Sequence, residues 1–104
     1  MRDTYFTIAQ IREDNAELGF HFFDAGTLRF FRSKVYPEVY GGHLFVTSEQ
    51  QSSEHARLYT LRECIEGKVN TVGFFQLYPT LGQARTAAKR EVKARAELAR
   101  AVAQ

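Results

Sequence analysis

The chain has 104 residues, 44% of them hydrophobic and 25% charged, which is the make-up of one folded domain (1–104) and excludes a disordered or multi-domain chain. Its net charge of +2 is too small to name a partner, but it is unevenly placed: residues 1–79 carry 8 Lys/Arg and 10 Asp/Glu, residues 80–104 carry 6 and 2. The single cysteine, Cys64, forms no internal bridge, and no apolar run approaches the roughly 18 residues that span a bilayer, so a cytoplasmic protein without membrane contact is expected.

Thr7 to Leu18 predicts the first helix. Thr7 and Gln10 have capping-box spacing, Phe6 and Ile11 occupy the positions of a hydrophobic staple, and Gly19 stands where a C-terminal cap belongs. Ile8, Ile11, Asn15 and Leu18 share one side, with Arg12, Glu13, Asp14 and Glu17 around the rest.

Phe20 to Phe31 holds five of the nine phenylalanines: Phe20, Phe22, Phe23, Phe30 and Phe31. Asp24 is positioned to cap a short helical turn from Ala25, putting Leu28, Phe31 and Phe30 on one side. The segment is expected to plug the core between helix and sheet. The other reading is an exposed stacking platform for bases, kept open by the interleaved Arg29, Arg32 and Lys34.

Strand patterns follow. Lys34 to Tyr40 meets Leu44 to Ser48 at Gly41-Gly42, a pair able to adopt the positive φ of a tight hairpin. Pro37 removes a ladder donor, which puts the first strand at the sheet edge. Glu49 to Glu54 reads as a polar loop. Arg57 to Ile65 and Lys68 to Tyr78 give two more strands joined at Glu66-Gly67. The expected core of the sheet is Phe45, Leu58, Leu61, Val72, Phe74 and Leu77. Consecutive apolar positions in Leu44-Phe45-Val46 imply either that both faces are covered or that one faces a partner.

Pro79-Thr80 ends the sheet and opens a long helix to the end of the chain, with Thr80 and Gln83 again at capping-box spacing. Leu81, Ala84, Ala88, Val92, Ala99 and Val102 share one face; Arg85, Lys89, Lys93 and Arg100 share its neighbour. At 1.5 Å per residue the helix is about 35 Å long, so turns from Arg95 onward are expected beyond the core. The fold class is therefore α+β: helix, short helix, four-stranded antiparallel meander and long helix, with the helices expected on one face.

Two surfaces are candidates for binding. The basic row Arg85, Lys89, Lys93 and Arg100 suits a phosphate backbone, or is a solvated outer face complementing the helix dipole. Tyr36, Tyr40 and His43 crowd the first hairpin as a protein-binding tip, or simply cover the sheet. The small-residue face of the last helix offers a third possibility, a homodimer. Catalytic and metal-binding patterns are weak. His21, His43 and His55 lack zinc-site spacing, Cys64 sits within a strand, and no glycine-rich loop leads from strand to helix. Neither an enzyme nor a cofactor is expected.

The succession His21-Phe22-Phe23, Phe30-Phe31, Ser33, Tyr40-Gly41-Gly42, Phe45-Val46-Thr47-Ser48-Glu49, Tyr59-Thr60-Leu61-Arg62 and Thr71 through Tyr78 resembles an uncharacterised family of small proteins of bacteria and their phages. The likeness runs from the first helix to Ala87. In that family a serine and a proline open the turn after the paired phenylalanines; Asp24 and Ala25 stand here, keeping the cap but not the rigid proline. The resemblance brings no catalytic or binding residues and implies a setting, an accessory protein of a phage or mobile element. Two functions compete within it: a nucleic-acid-binding module, and a protein-binding factor such as an inhibitor of a host defence protein. A purely structural, oligomeric role is the third.

Overall fold

The computed structural model describes residues 1–103; Gln104, assigned from sequence to the last helix, lies outside them. In chain order the elements are α1 (Ile8–Glu17), α2 (Ala25–Phe30), β1 (Lys34–Val35), β2 (Leu44–Glu49), β3 (Leu58–Ile65), β4 (Lys68–Thr71) and α3 (Leu81–Ala103). The strands form one antiparallel sheet in the order β1-β2-β3-β4, the expected α+β meander.

All six residues of β2 are buried, and this decides the layering. Because side chains alternate along a strand, Leu44 and Val46 point to one face, where they pack with Leu61 and with Ala84 and Ala88 of α3. Phe45 points to the other, against Tyr5, Ile11 and Cys64. The helices therefore cover opposite faces of the sheet, not one face as expected. A strand without a polar side needs cover on both, and Leu44-Phe45-Val46 is such a strand.

The first hairpin forms around its glycines, with a shorter first strand than expected. The Tyr36 amide donates to the Val46 carbonyl, the chain leaves the ladder at Pro37-Glu38, and Tyr40 returns to exchange bonds of 2.7 and 3.0 Å with Leu44. Gly41 and Gly42 turn with φ of +59° and +80°. A Cβ on Gly41 would stand 2.8 Å from Cγ2 of Val92, so this glycine also admits α3. β4 too is shorter than expected. Gly73, at φ +78°, takes the chain out of the sheet, and Tyr78 rejoins it through bonds of 2.8 and 3.0 Å to Tyr59. The excursion leaves Phe74 and Leu77 exposed, correcting their expected place in the core.

At α1, Thr7 caps through its hydroxyl, which accepts from the Gln10 amide, while the Gln10 side chain accepts from the Phe6 amide. Phe6 is exposed and does not staple to Ile11; Tyr5 takes the core position instead. Gly19, with φ +81°, ends the helix as its amide and that of Phe20 donate to Ala16 and Asn15. Asp24 sits at the N-cap of α2 without a side-chain cap bond, because its carboxylate is 2.7 Å from His21 Nδ1. The aromatic segment plugs the core only through its first half: Phe22 and Phe23 pack on Phe45, whereas Phe30 and Phe31 are exposed. Residues 96–103 of α3 are exposed all round and extend past the sheet, in a molecule 51 Å along its longest axis. Among the described residues, no helix is long and apolar enough to cross a membrane.

Candidate functional site

Tyr36, Tyr40 and His43 form no projecting tip. Both tyrosines are half-buried against the core cluster beneath α3, with the Tyr36 hydroxyl 3.1 Å from Ser48 Oγ. His43 lines a cavity of about 290 Å³ with Leu44, Val92 and Ala96, and its Nδ1 lies 3.1 Å from the Cys64 carbonyl. Along α3, Arg85 pairs with Glu38 at 2.9 Å. Lys89, Lys93 and Arg100 are exposed and make no ion pair among the described residues. Arg95 is held between Glu63 and Glu91, at 2.7 and 2.9 Å.

The opposite face carries a buried polar cluster that the sequence pattern does not single out, beside the aromatic segment read as a possible stacking platform. Strand alternation and the β2–β3 register bring Thr47, Glu49, Thr60 and Arg62 to the same side as Phe45. The Glu49 carboxylate is buried and accepts from the hydroxyls of Thr47 (2.6 Å) and Thr60 (2.7 Å) and from the Arg62 guanidinium (3.3 Å). Arg62 also donates to the hydroxyls of Thr47 and Thr71, at 3.1 and 2.6 Å. Its guanidinium lies 5.4 Å from the ring centres of both Phe22 and Phe75, a cation that clasps two aromatic side chains. Burial lowers the Arg62 pKa, with Glu49 opposing the shift; an arginine so placed keeps its charge.

This ion pair floors a groove. One cavity of about 290 Å³ is lined by Phe22, Thr27, Leu28, Phe31, Arg62 and Phe75, among others. A second, of about 340 Å³, lies between Phe30, Phe31, Phe75 and the side chains of Gln50, Gln51 and Gln76. They share Phe31, Glu49 and Phe75 as walls. Phe30 and Phe31 meet edge to face at 4.9 Å on the rim, 81% and 49% exposed. Arg29, Arg32 and Lys34 are exposed on the same segment, which has no carboxylate between Ala25 and Val35. The Arg57 guanidinium secures that segment by donating to the Arg32 carbonyl (2.8 Å) and Ser48 Oγ (3.0 Å).

The signal for this site was in the sequence: Thr47, Glu49, Thr60 and Arg62 are polar residues placed at two-residue intervals within apolar strands. By sequence Glu49 reads as the start of the loop, because the residues following it are also polar.

A second buried polar cluster lies under α1. The Tyr5 hydroxyl donates to Asp14 Oδ2 at 2.8 Å and accepts from the Gly67 amide at 2.9 Å. The Arg2 guanidinium reaches Asp14 Oδ1 at 2.6 Å, and the Asn15 amide donates to the Gly67 carbonyl at 2.9 Å. Burial, followed by the Asp14 hydrogen bond, raises the Tyr5 pKa, and burial raises that of Cys64, so the thiol stays protonated. Every polar group named here is spent on its neighbours, and the cluster fastens α1 to the β3–β4 turn. Among the described residues, no three His, Cys, Asp or Glu side chains are grouped to hold a metal ion.

Comparison with curated proteins and with solved structures gives no match. A family model matches residues 7–89, a span containing the whole groove but neither the Arg2–Tyr5 segment nor α3 beyond Lys89. The chain thus belongs to DUF7447, a family of unknown function.

Proposed function

We propose that the protein is a non-catalytic, cytoplasmic accessory module of a phage or mobile element that binds nucleic acid. The observation that carries this reading is the row on α3: Lys89, Lys93 and Arg100 are exposed and free of ion pairs among the described residues, on a helix extending past the fold. Such cations lie along phosphates and release counterions, giving affinity with little sequence preference. Arg85 joins them by exchanging Glu38 for a phosphate. The accessory setting rests on the family resemblance, and a reducing cytoplasm suits the lone buried thiol of Cys64.

Fluorescence anisotropy with labelled duplex and single-stranded oligonucleotides tests the reading. Binding should weaken steeply between about 50 and 200 mM salt. Changing Arg85, Lys89, Lys93 and Arg100 to glutamine should flatten the logarithmic salt slope by about 3 to 4 and abolish binding at the higher salt. Absence of binding at low salt would exclude the reading.

Exposed Leu98 and Val102, one turn apart on the projecting part of α3, favour a protein partner or a second copy as the alternative. A stable complex recovered from host extract, or a dimer in sedimentation, that is lost when both become lysine would select it over nucleic acid.

A further inference from the structure

We infer that the groove over Glu49 and Arg62 is a stacking site for unpaired bases, so that the nucleic acid this protein takes is single-stranded. The inference shares its class of partner with the α3 reading but uses the other face of the sheet, and each can fail alone.

Three features of the groove fit such a strand together. Its walls are aromatic: Phe22, Phe31 and Phe75 surround one cavity, Phe30, Phe31 and Phe75 the next. Two cavities with common walls, of about 290 and 340 Å³, lie just below and just inside the lower bound of the roughly 300–1,000 Å³ range of small-ligand sites. They suit successive flat groups better than one large ligand. Every base has a π face, so stacking on phenylalanine holds a strand without choosing its sequence.

The rim supplies the charge. Arg29, Arg32 and Lys34 are exposed on the segment that carries Phe30, Phe31 and Ser33, and no acid stands among them. A groove built for an apolar peptide gains nothing from three cations beside it; a phosphodiester backbone passing outside stacked bases does. The one carboxylate in the walls, Glu49, is buried and occupied by Thr47, Thr60 and Arg62, so it sets no repulsive charge at the surface.

The third feature is rigidity. Arg62 is held by Glu49, Thr47 and Thr71, and its guanidinium lies 5.4 Å from the ring centres of both Phe22 and Phe75, so one fixed cation anchors two walls. Gln76, at φ +58°, donates its backbone amide to Thr60 Oγ1 and its side-chain amide to the Glu49 carbonyl, tying the loop that carries Phe75 to the floor. Aromatic walls held in advance lose little freedom when a base enters. Duplex DNA or RNA, whose bases are already stacked and paired, offers this groove no free face.

The test compares labelled single strands of about 12 nucleotides, within the span of known single-strand sites, with a duplex of the same length. The variants are Phe30→Ala, Phe31→Leu and Phe75→Leu, with melting curves to verify folding. The leucines keep apolar bulk and remove the π face. Single strands should bind more tightly than duplex, and each variant should weaken single-strand binding at least about fivefold while leaving duplex binding unchanged. Phe30→Ala and Phe31→Leu leave the Arg62 clasp in place, so a folding defect in Phe75→Leu would not remove the test. Equal affinity for both forms, or single-strand binding untouched by all three changes, would overturn the inference while leaving α3 as the nucleic-acid surface. A protein partner lost in Phe30→Ala but retained by the leucine variants, with oligonucleotide binding unaffected, would also overturn it and assign the groove to an apolar peptide. Ring-dependent single-strand binding that survives the four α3 glutamines would support the groove and reject α3. No oligonucleotide binding at low salt would reject both.

Discussion

The hydroxyl of Tyr5 joins a helix to a turn about 50 residues further along the chain, donating to Asp14 and accepting from the Gly67 amide. Tyr5→Phe leaves that buried amide without its acceptor. It should cost about 1–3 kcal/mol, seen as a lower denaturant midpoint at unchanged slope. Asp14 sets an acid dependence. Burial alone would raise its pKa, but the Tyr5 hydroxyl, the Arg2 amide and guanidinium and the amino terminus together lower it below the ordinary 3.8. A carboxyl depressed in the folded state adds stability above its unfolded pKa, and that stability is lost as pH falls from about 3.8 through the lower folded value. Asp14→Asn should therefore be less stable at neutral pH and lose less on acidification, measured by urea titrations at stepped pH. Its charge alone predicts Asp14 on the solvent side of α1, although it lies one turn from Ile11. Its neutralising partners precede the helix, where helical periodicity says nothing about them. Arg62 and Glu49 went unread for a related reason: each looks anomalous alone, and only the strand register places them together.

At the scale of elements, helix α1, the first hairpin and α3 follow their capping and turn residues closely, because caps and positive-φ glycines act within a few residues of chain. What lay outside that range was the reason Gly41 must lack a side chain. Its missing Cβ is filled by Val92, which arrives on α3 from about fifty positions later. Gly41→Ala should carry the roughly 1–2 kcal/mol strain of a left-handed residue plus the 2.8 Å contact with a stiff β-branched side chain. Val92→Ala removes the contact and keeps the strain. In a double-mutant cycle Gly41→Ala should cost less in the Val92→Ala background, with a coupling of about 0.5–3 kcal/mol. Additive effects would mean the helix yields to the new methyl group. β4 is shorter than its composition predicts for a comparable reason. Val72 through Tyr78 has strand-forming composition, and the bonds that lift it from the sheet, from Gln76 to Thr60 of β3 and Glu49 of β2, are made to residues distant in sequence.

For the whole molecule, composition and strand order gave the α+β class and the meander, while the placement of helices on two faces depended on how Leu44-Phe45-Val46 divides its side chains. The two faces also differ in what they expose: one carries the cations of α3, the other the aromatic groove. Beneath the groove's neighbouring helix runs the segment Arg2–Tyr5, whose Tyr5 amide bonds the Gly42 carbonyl at 2.8 Å and whose ring is 1% exposed among Ile11, Phe45 and Cys64. The family match begins only at residue 7. A polypeptide of residues 7–89 would lack that ring, a loss of about 3–5 kcal/mol on the scale of large-to-small aromatic substitutions, against a typical total of 5–15. It should melt well below the whole chain, and Cys64 should react with a thiol reagent orders of magnitude faster in it. The span that a family model matches and the span that folds unaided are then two different measurements, and here the difference includes the Tyr5 ring on one face of the sheet and Val92 on the other.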